Sequence, residues 1–308
     1  MTPSFRAQTP GGLLTPPGLF AYRVRAAAIL DVTGADRAAF LQGQITQDVR
    51  RAEAGEVVPA AGLTPKGKLL FVARLLGMPD RLRLLLSAGS RKKVMAHLAK
   101  YAVFQKVAIE DRSADFSRIG IVGGAPDPAA LPGWPVLPGE FEFSSEWLVP
   151  AADREEACRT LEAAGAAPLD EAAAEILRVE GGRPRFGQDA DETNLADEVG
   201  LAEAISTTKG CYVGQEIVAR LRTYGRVNRR LVGFRFPEAA LAPGTLLNRP
   251  GGPVDGKVEM GRVTSAVVSP RFGAIGLGFA FRDVAAGDRL VSAESPHLSA
   301  VPSALPFA

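Results

Sequence analysis

KGCYVGQE, Lys209 to Glu216, carries one of only two cysteines in 308 residues, and its reading sets the reading of the whole chain. Gly210 and Gly214 flank the thiol of Cys211 with residues that permit close backbone approach or a positive φ. Gly214, or the residue before it, can open a helix QEIVARLR. The first N–H groups of such a helix lack partners within it and would aim toward the cysteine. Lys209 adds a positive charge. A free cysteine ionises near pH 8.5, and bringing that to about 7 takes roughly 2 kcal/mol of thiolate stabilisation. A helix end supplies about 0.3–1 kcal/mol, so Lys209 and direct amide hydrogen bonds would have to provide the remainder. The same eight residues also fit a small, buried, apolar cysteine. A Cys–His dyad is disfavoured, because His97 and His297, the only histidines, lie far off in sequence.

Beyond this segment, from residue 231, the chain turns to short glycine-broken strands, LVGFRF, GKVEMGRVTSAVV and AIGLGFAF. That texture predicts a small barrel or sandwich, and it places a domain boundary near 228. Residues 1–228 then form an α+β region and 229–308 a C-terminal β-barrel domain. Upstream, residues 21–32 read as strand, ADRAAFLQGQ as a short helix, and residues 60–77 as two strands joined by TPKGK. LRLLLS, VAIED, SRIGIVG and EWLVP read as further strands. Helices are expected from Ser90 to about Phe104, over 152–164, and over 170–180, the last stopped by Gly181-Gly182. The Pro- and Gly-dense stretch 123–140 reads as a long surface loop.

Composition excludes several classes. Hydrophobic content of 46% with 23% charge is that of an ordinary globular protein, and 308 residues exceed the span of one core. Net charge is +2 with no long basic run, so nonspecific nucleic-acid binding is not expected, although a local basic face is compatible with it. No apolar run is long enough to cross a bilayer, and the N-terminus lacks a secretory pattern, so the expected compartment is the cytoplasm. Two cysteines and two histidines in distant segments predict neither a disulfide framework nor a structural metal.

Four features are decoys. Gly62 to Lys68 almost spells a phosphate-binding loop, but Leu69 replaces the required hydroxyl and strand follows where a helix should, so a hairpin is expected. Gly273, Gly276 and Gly278 sit in strand and read as barrel glycines. DADETNLADE (189–198) lacks calcium-loop spacing and reads as a solvated loop. His97, beside Val94 and Leu98, reads as packing.

Lys209 to Glu216, followed by Ala219-Arg220, resembles the signature of the YgfZ family of folate-binding proteins, which includes a mitochondrial factor that matures [4Fe–4S] proteins. FLQGQITQDV (40–49) and PKGKLL (65–70) are further matches to that family. More distantly, ILRVEGGRPRFG (176–187) and YVGQE are similar to segments of the glycine cleavage system aminomethyltransferase. The resemblance runs from about residue 20 to about 285. It implies an α+β, aminomethyltransferase-like fold of three lobes around a central channel, two of them interleaved, with the C-terminal β-barrel as the third. It also implies tetrahydrofolate or a one-carbon derivative as cofactor, and iron–sulfur scaffold or client proteins as partners. No nucleic acid, membrane or metal is implied. Carried onto matching positions, it makes Cys211 the functional thiol with Lys209 beside it. Glu180, Gly210, Tyr212, Gly214, Gln215, Glu216 and Arg220 become the folate-binding set. Glu180 matches the carboxylate that holds the pterin ring, whose edge offers two N–H groups to a carboxylate.

One departure matters. Where the aminomethyltransferase carries the aspartate that orients the folate amine, this chain has Phe71 and Val72, which can neither accept a proton nor orient an amine. Aminomethyl transfer by that route is not expected. The leading expectation is a folate-binding accessory protein for iron–sulfur cluster assembly or repair. The alternatives are a folate-dependent one-carbon transferase and a ligand-free interaction module. A single thiol also supplies too few ligands to hold a cluster alone, since four are usual.

Overall fold

The computed structural model describes residues 20–87, 89–124, 133–140, 143–252 and 259–307. They form two compact units, each assembled from two stretches of chain. The first is Met1–Asp170 with Ala202–Ala219, and the second is Glu171–Leu201 with Arg220–Ala308.

In chain order the first unit runs β1 (Phe20–Arg25), β2 (Ile29–Thr33), α1 (Arg37–Gln44), α2 (Val49–Glu53), β3 (Val57–Leu63), β4 (Leu69–Gly77) and β5 (Arg81–Leu86). Then follow α3 (Arg91–Tyr101), β6 (Ala108–Asp111), β7 (Phe116–Gly123), β8 (Val136–Pro138), β9 (Ser145–Pro150), α4 (Arg154–Ala163) and β10 (Ala167–Pro168). The strands make two five-stranded sheets, in the orders β3-β4-β5-β2-β6 and β10-β1-β7-β9-β8. Residues 21–32, expected as one extended stretch, are therefore two strands in different sheets, with residues 26–28 carrying the chain across.

Alternation along β4 decides what each sheet face does. Leu69, Phe71, Ala73 and Leu75 are buried, while Leu70 and Val72 are only partly so. Phe71 belongs to the main core with Leu30, Leu41, Val58 and Leu84. A second cluster, Ile29, Leu76, Leu85, Leu137 and Leu148, draws on strands of both sheets. The same interior holds an ionic cluster. Glu146, fully buried, accepts from Arg118 Nε at 2.6 Å, Arg74 Nη2 at 2.9 Å and Arg25 Nη1 at 3.0 Å. Such a group is tolerated only because its charge is met several times over.

The 123–140 stretch departs from its expectation as a surface loop. Residues 125–132 lie outside the described set, but Val136–Pro138 pairs with β9, and Trp134 and Leu137 are buried. His97 packs against Tyr101, ring centroids 5.1 Å apart, and against the edge of Phe71. The almost-phosphate loop is a hairpin turn, closed by Thr64 N–H to Lys68 O at 2.8 Å and Gly67 N–H to Thr64 O at 2.9 Å.

The second unit contains α5 (Glu171–Glu180) and strands β11 (Arg229–Arg235), β12 (Leu246–Asn248), β13 (Gly261–Ser269), β14 (Gly273–Phe281), β15 (Leu290–Ser292) and β16 (Ser299–Ser303). Helix α6 (Gln215–Tyr224) begins in the first unit and ends in the second. The six strands close into a barrel, β11-β14-β13-β12-β15-β16. Barrel closure explains the glycines of β14. A Cβ on Gly276 would strike the Ser265 carbonyl, and one on Gly278 would strike that of Arg262. Gly182, at φ +66°, ends α5 in a conformation other residues avoid.

The acidic stretch 189–198 corrects its expectation. Asp189, Asn194 and Glu198 are buried. Asp189 pairs with the fully buried Arg178 at 2.6 Å and accepts from Thr264 and Ser265, tying α5 to β13.

Candidate functional site

α1 ends with a problem common to helices, namely carbonyl groups in the last turn without intrahelical partners. Here KGCYVGQE supplies the partners. Lys209 Nζ donates to the carbonyls of Gln42 at 2.6 Å, Ile45 at 2.7 Å and Gln47 at 3.2 Å. Val213 N–H reaches Gly43 O at 3.1 Å. A cation is also the favoured charge at that end of a helix. The exit of α1 is stitched further. Thr46 Oγ1 donates to Ala204 O at 2.6 Å while accepting from Ala61 N–H, and Gln47 Nε2 donates to Glu203 O at 2.7 Å.

The hairpin turn joins the same cluster. Gly214 has φ +84°, and a Cβ there would stand 2.5 Å from the Thr64 carbonyl and 3.0 Å from Leu63. A Cβ on Gly67 would stand 2.8 Å from Ile217. Three segments read separately in the sequence, FLQGQITQDV, TPKGK and KGCYVGQE, therefore meet in the first unit.

Cys211 stands on this joint, exposed and in no disulfide. The apolar, buried reading of the cysteine does not hold. Among the described residues its thiol has no hydrogen-bond partner. Lys209 has three N–H groups, and all three meet carbonyl oxygens, so any help it gives the thiol comes through charge alone. Burial lowers the Lys209 ammonium to about 8, opposed by the Asp48 carboxylate, which leaves it mostly protonated at neutral pH. Its charge also sits over the Tyr212 ring, 5.0 Å from the centroid.

The remaining residues of the segment divide by use. Gln215 Oε1 accepts from Tyr212 N–H at 3.1 Å, tying the loop to the first turn of α6. Gly210 is not in the left-handed region, and a Cβ there would meet nothing within 4 Å, so its surroundings are open. Glu216 and Arg220 are exposed on α6, and their side chains make no ion pair or hydrogen bond to another described residue.

Glu180 belongs to the second unit. It is buried at the C-terminal end of α5, where Oε1 accepts from Ser269 Oγ at 2.5 Å and Oε2 lies 3.3 Å from Arg271 Nη1. An ionised carboxylate offers about four lone-pair positions. Ser269 and Arg271 meet two of these. A carboxylate is the acceptor that the paired N–H groups of a pterin edge require, so the chemistry of Glu180 is compatible with a folate ring.

Phe71, which the resemblance sets at the place of the aminomethyltransferase aspartate, is fully buried, and its ring occupies the space where a side chain on Gly62 would go. The position is part of the core.

Sequence reasoning found the residues of the segment but missed what holds them. The partners of Lys209 are main-chain carbonyls, which leave no side-chain signature. Arg178 and Asp189 were also missed, although two polar residues, Arg178 and Glu180, flanking a core valine at the end of α5 were a visible signal.

No family model matches the chain. A Yersinia pestis protein named as tRNA-modifying protein YgfZ is 31% identical over 234 residues, covering 70% of each chain. An Arabidopsis thaliana chloroplastic protein, provisionally described as a transferase, is 28% identical over 303 residues, 90% of this chain and 68% of that one. The glycine cleavage system aminomethyltransferase T of Bartonella henselae matches with a TM-score of 0.81 over 94% of this chain and 86% of its own, at 17% identity. That likeness shows the fold: aminomethyltransferase-like, α+β, with a C-terminal β-barrel. Among the described residues no helix is long and apolar enough to cross a membrane. With its three matched segments gathered at one joint and a relative of 31% identity sharing 70% of both chains, the protein belongs to the YgfZ family.

Proposed function

We propose that the protein binds a reduced folate and supports the assembly or repair of iron–sulfur clusters, with Cys211 as the working thiol. The observation that carries this reading is an exposed, unpaired cysteine held on a hydrogen-bonded joint between a capped helix end and a hairpin. A thiol needed only for packing would be buried. In this reading Glu180 accepts from the pterin edge, and the folate supplies a one-carbon unit or a binding platform. Lys209 orders the loop, and Cys211 offers its sulfur to a cluster, an iron or a carbon donor carried by a partner.

The buried Phe71 argues against aminomethyl transfer, since no carboxylate stands there to orient an amine. The name of the Yersinia relatives points toward tRNA. A protein that keeps iron–sulfur enzymes active would alter tRNA through those among them that modify it, without itself holding RNA. The transferase description of the chloroplastic relative keeps one-carbon transfer as the second reading.

Two measurements test the proposal. Tetrahydrofolate titrated against the pure protein should bind saturably, and Glu180→Gln should weaken it; no binding at saturating folate rejects the cofactor. Cells lacking the native copy should regain [4Fe–4S] enzyme activity with the wild-type chain and not with Cys211→Ala. Full rescue by that variant rejects the thiol.

A further inference from the structure

Glu180 and the tip of the β13–β14 hairpin lie in the same unit, and that tip is built round one hydroxyl. Ser269 closes β13 opposite Gly273, which opens β14 at φ +71°, with Pro270, Arg271 and Phe272 as the turn between them. Inside the turn, Arg271 N–H and Phe272 N–H each donate to Ser269 Oγ at 3.0 Å. A serine hydroxyl has one proton to give and two lone pairs to offer. Both lone pairs are taken by these amides. The proton has one direction left, and it goes to Glu180 Oε1 at 2.5 Å.

The consequence falls on the carboxylate. The last torsion of a glutamate is soft, so its oxygens do not hold a direction unless something fixes them. Ser269 can only donate, which makes Oε1 an acceptor. A guanidinium also carries donors alone, and Arg271 Nη1 stands 3.3 Å from Oε2. Both oxygens therefore face donors from a single turn, and any further partner of either must be a donor as well.

Given the reading of Glu180 as the group that holds the pterin, on which this inference rests, the arrangement selects among rings. The 2-amino-4-oxo edge of a pterin offers two adjacent N–H donors, which suit an acceptor-only carboxylate. A 2,4-dioxo edge, as in a lumazine or a flavin, offers one N–H between two carbonyl oxygens, and those oxygens repel it. A carboxyl free to turn and take up a proton could satisfy both edges. One held by donors cannot. We propose that Ser269 is a positioning residue of the folate site, which with Arg271 holds Glu180 as a fixed acceptor and so makes it selective for 2-amino-4-oxopteridines over dioxo rings.

The test is calorimetric titration of the full chain with tetrahydrofolate and with its 2-deamino-2-oxo analogue, which keeps the same tail. Wild type should prefer tetrahydrofolate at least about tenfold, as expected where a site is built for a donor that the analogue lacks. Ser269→Ala should weaken tetrahydrofolate about fivefold and the analogue little, so the preference narrows, while Ser269→Thr should keep it. A merely structural role would weaken both ligands alike and leave their ratio unchanged. In a Glu180→Gln background, Ser269→Ala should add nothing to that ratio, because the two residues act as one unit. Should Ser269→Ala fail to fold, Arg271→Gln, at a side chain 36% exposed, reads the same ratio, with a narrowing of about threefold expected. Equal binding of both ligands by wild type, or a ratio unchanged in the folded variant, overturns the proposal. If tetrahydrofolate binds and Glu180→Gln weakens it while the ratio survives Ser269→Ala, this inference fails alone; if wild type binds neither ligand, the folate reading fails with it.

Discussion

Replacing Lys209 with methionine separates two roles for the same side chain. The stem is preserved and the three donors are removed, leaving the carbonyls of Gln42, Ile45 and Gln47 without their shared partner. A hydrogen bond from a charged donor contributes about 1.5–3 kcal/mol. Counting the two short bonds, and subtracting the cost of holding a half-buried ammonium away from water, leaves a net loss of about 2 kcal/mol. Both tryptophans of the chain, Trp134 and Trp147, lie in the first unit with rings 6.0 Å apart, so their fluorescence follows the unfolding of that unit alone. The expected result is a lower urea midpoint at unchanged slope, corresponding to that loss, in a folded variant that still exposes Cys211. Hydrogen exchange should localise the loosening to Val213 N–H, which bonds Gly43 O, and to Ser206 N–H, which bonds Thr46 O. A loss under about 0.5 kcal/mol would refute the capping role. It would return Lys209 to the thiol as its main business.

Four other outcomes follow from the same geometry. Gly214→Ala forces a Cβ against the Thr64 carbonyl at φ +84° and should cost about 1–3 kcal/mol in the first unit, read by the same fluorescence. Cys211→Ala should leave the urea midpoint within about 0.5 kcal/mol of wild type, because the side chain is exposed, while abolishing rescue in cells. Burial would raise the Glu146 carboxyl, but Arg118, Arg74 and Arg25 outweigh it and hold it at about 2 against 4.5 for the free group. Its stabilisation, on the order of 3 kcal/mol, is therefore complete above pH 4.5 and lost as pH falls toward 2; Glu146→Gln should flatten an acid titration of stability over that window. Phe71→Asp should not create an aminomethyltransferase: it places an unpaired carboxylate in the core and should destabilise the first unit by more than about 3 kcal/mol, checked by denaturation and by amine-transfer assay.

How far the sequence carried the reading depended on whether an interaction is written in side chains. TPKGK announces a hairpin because Pro and Gly fix local φ values, and the glycines of β14 announce a crowded barrel because only a missing Cβ fits. The break after Arg25 was not legible. Nothing in the alanines at 26–28 says that β1 and β2 pair in different sheets, since that choice is made by strands far along the chain. The burial of Asp189 was hidden for a similar reason: its partner Arg178 lies on another element, and a run of acids reads as solvated until that partner is known.

The same distinction narrows the candidate site. Within Lys209 to Glu216, Lys209 is spent on carbonyls, Gly214 on a close approach to Thr64, and Gln215 on the turn at Tyr212. Val213 is spent at the end of α1. What the joint does not use is Cys211, Gly210 with its open surroundings, and the exposed Glu216. Half of the eight residues thus do architectural work, and that is why the spacing is so particular: their partners stand at fixed places at the end of α1, on the hairpin or within the segment itself. Any chemistry at this segment falls to the residues left over, of which Cys211 carries the stronger nucleophile. If Glu216→Ala abolished rescue in cells and Cys211→Ala did not, the joint would be presenting a carboxylate rather than a thiol, and the iron–sulfur reading would lose its reactive atom.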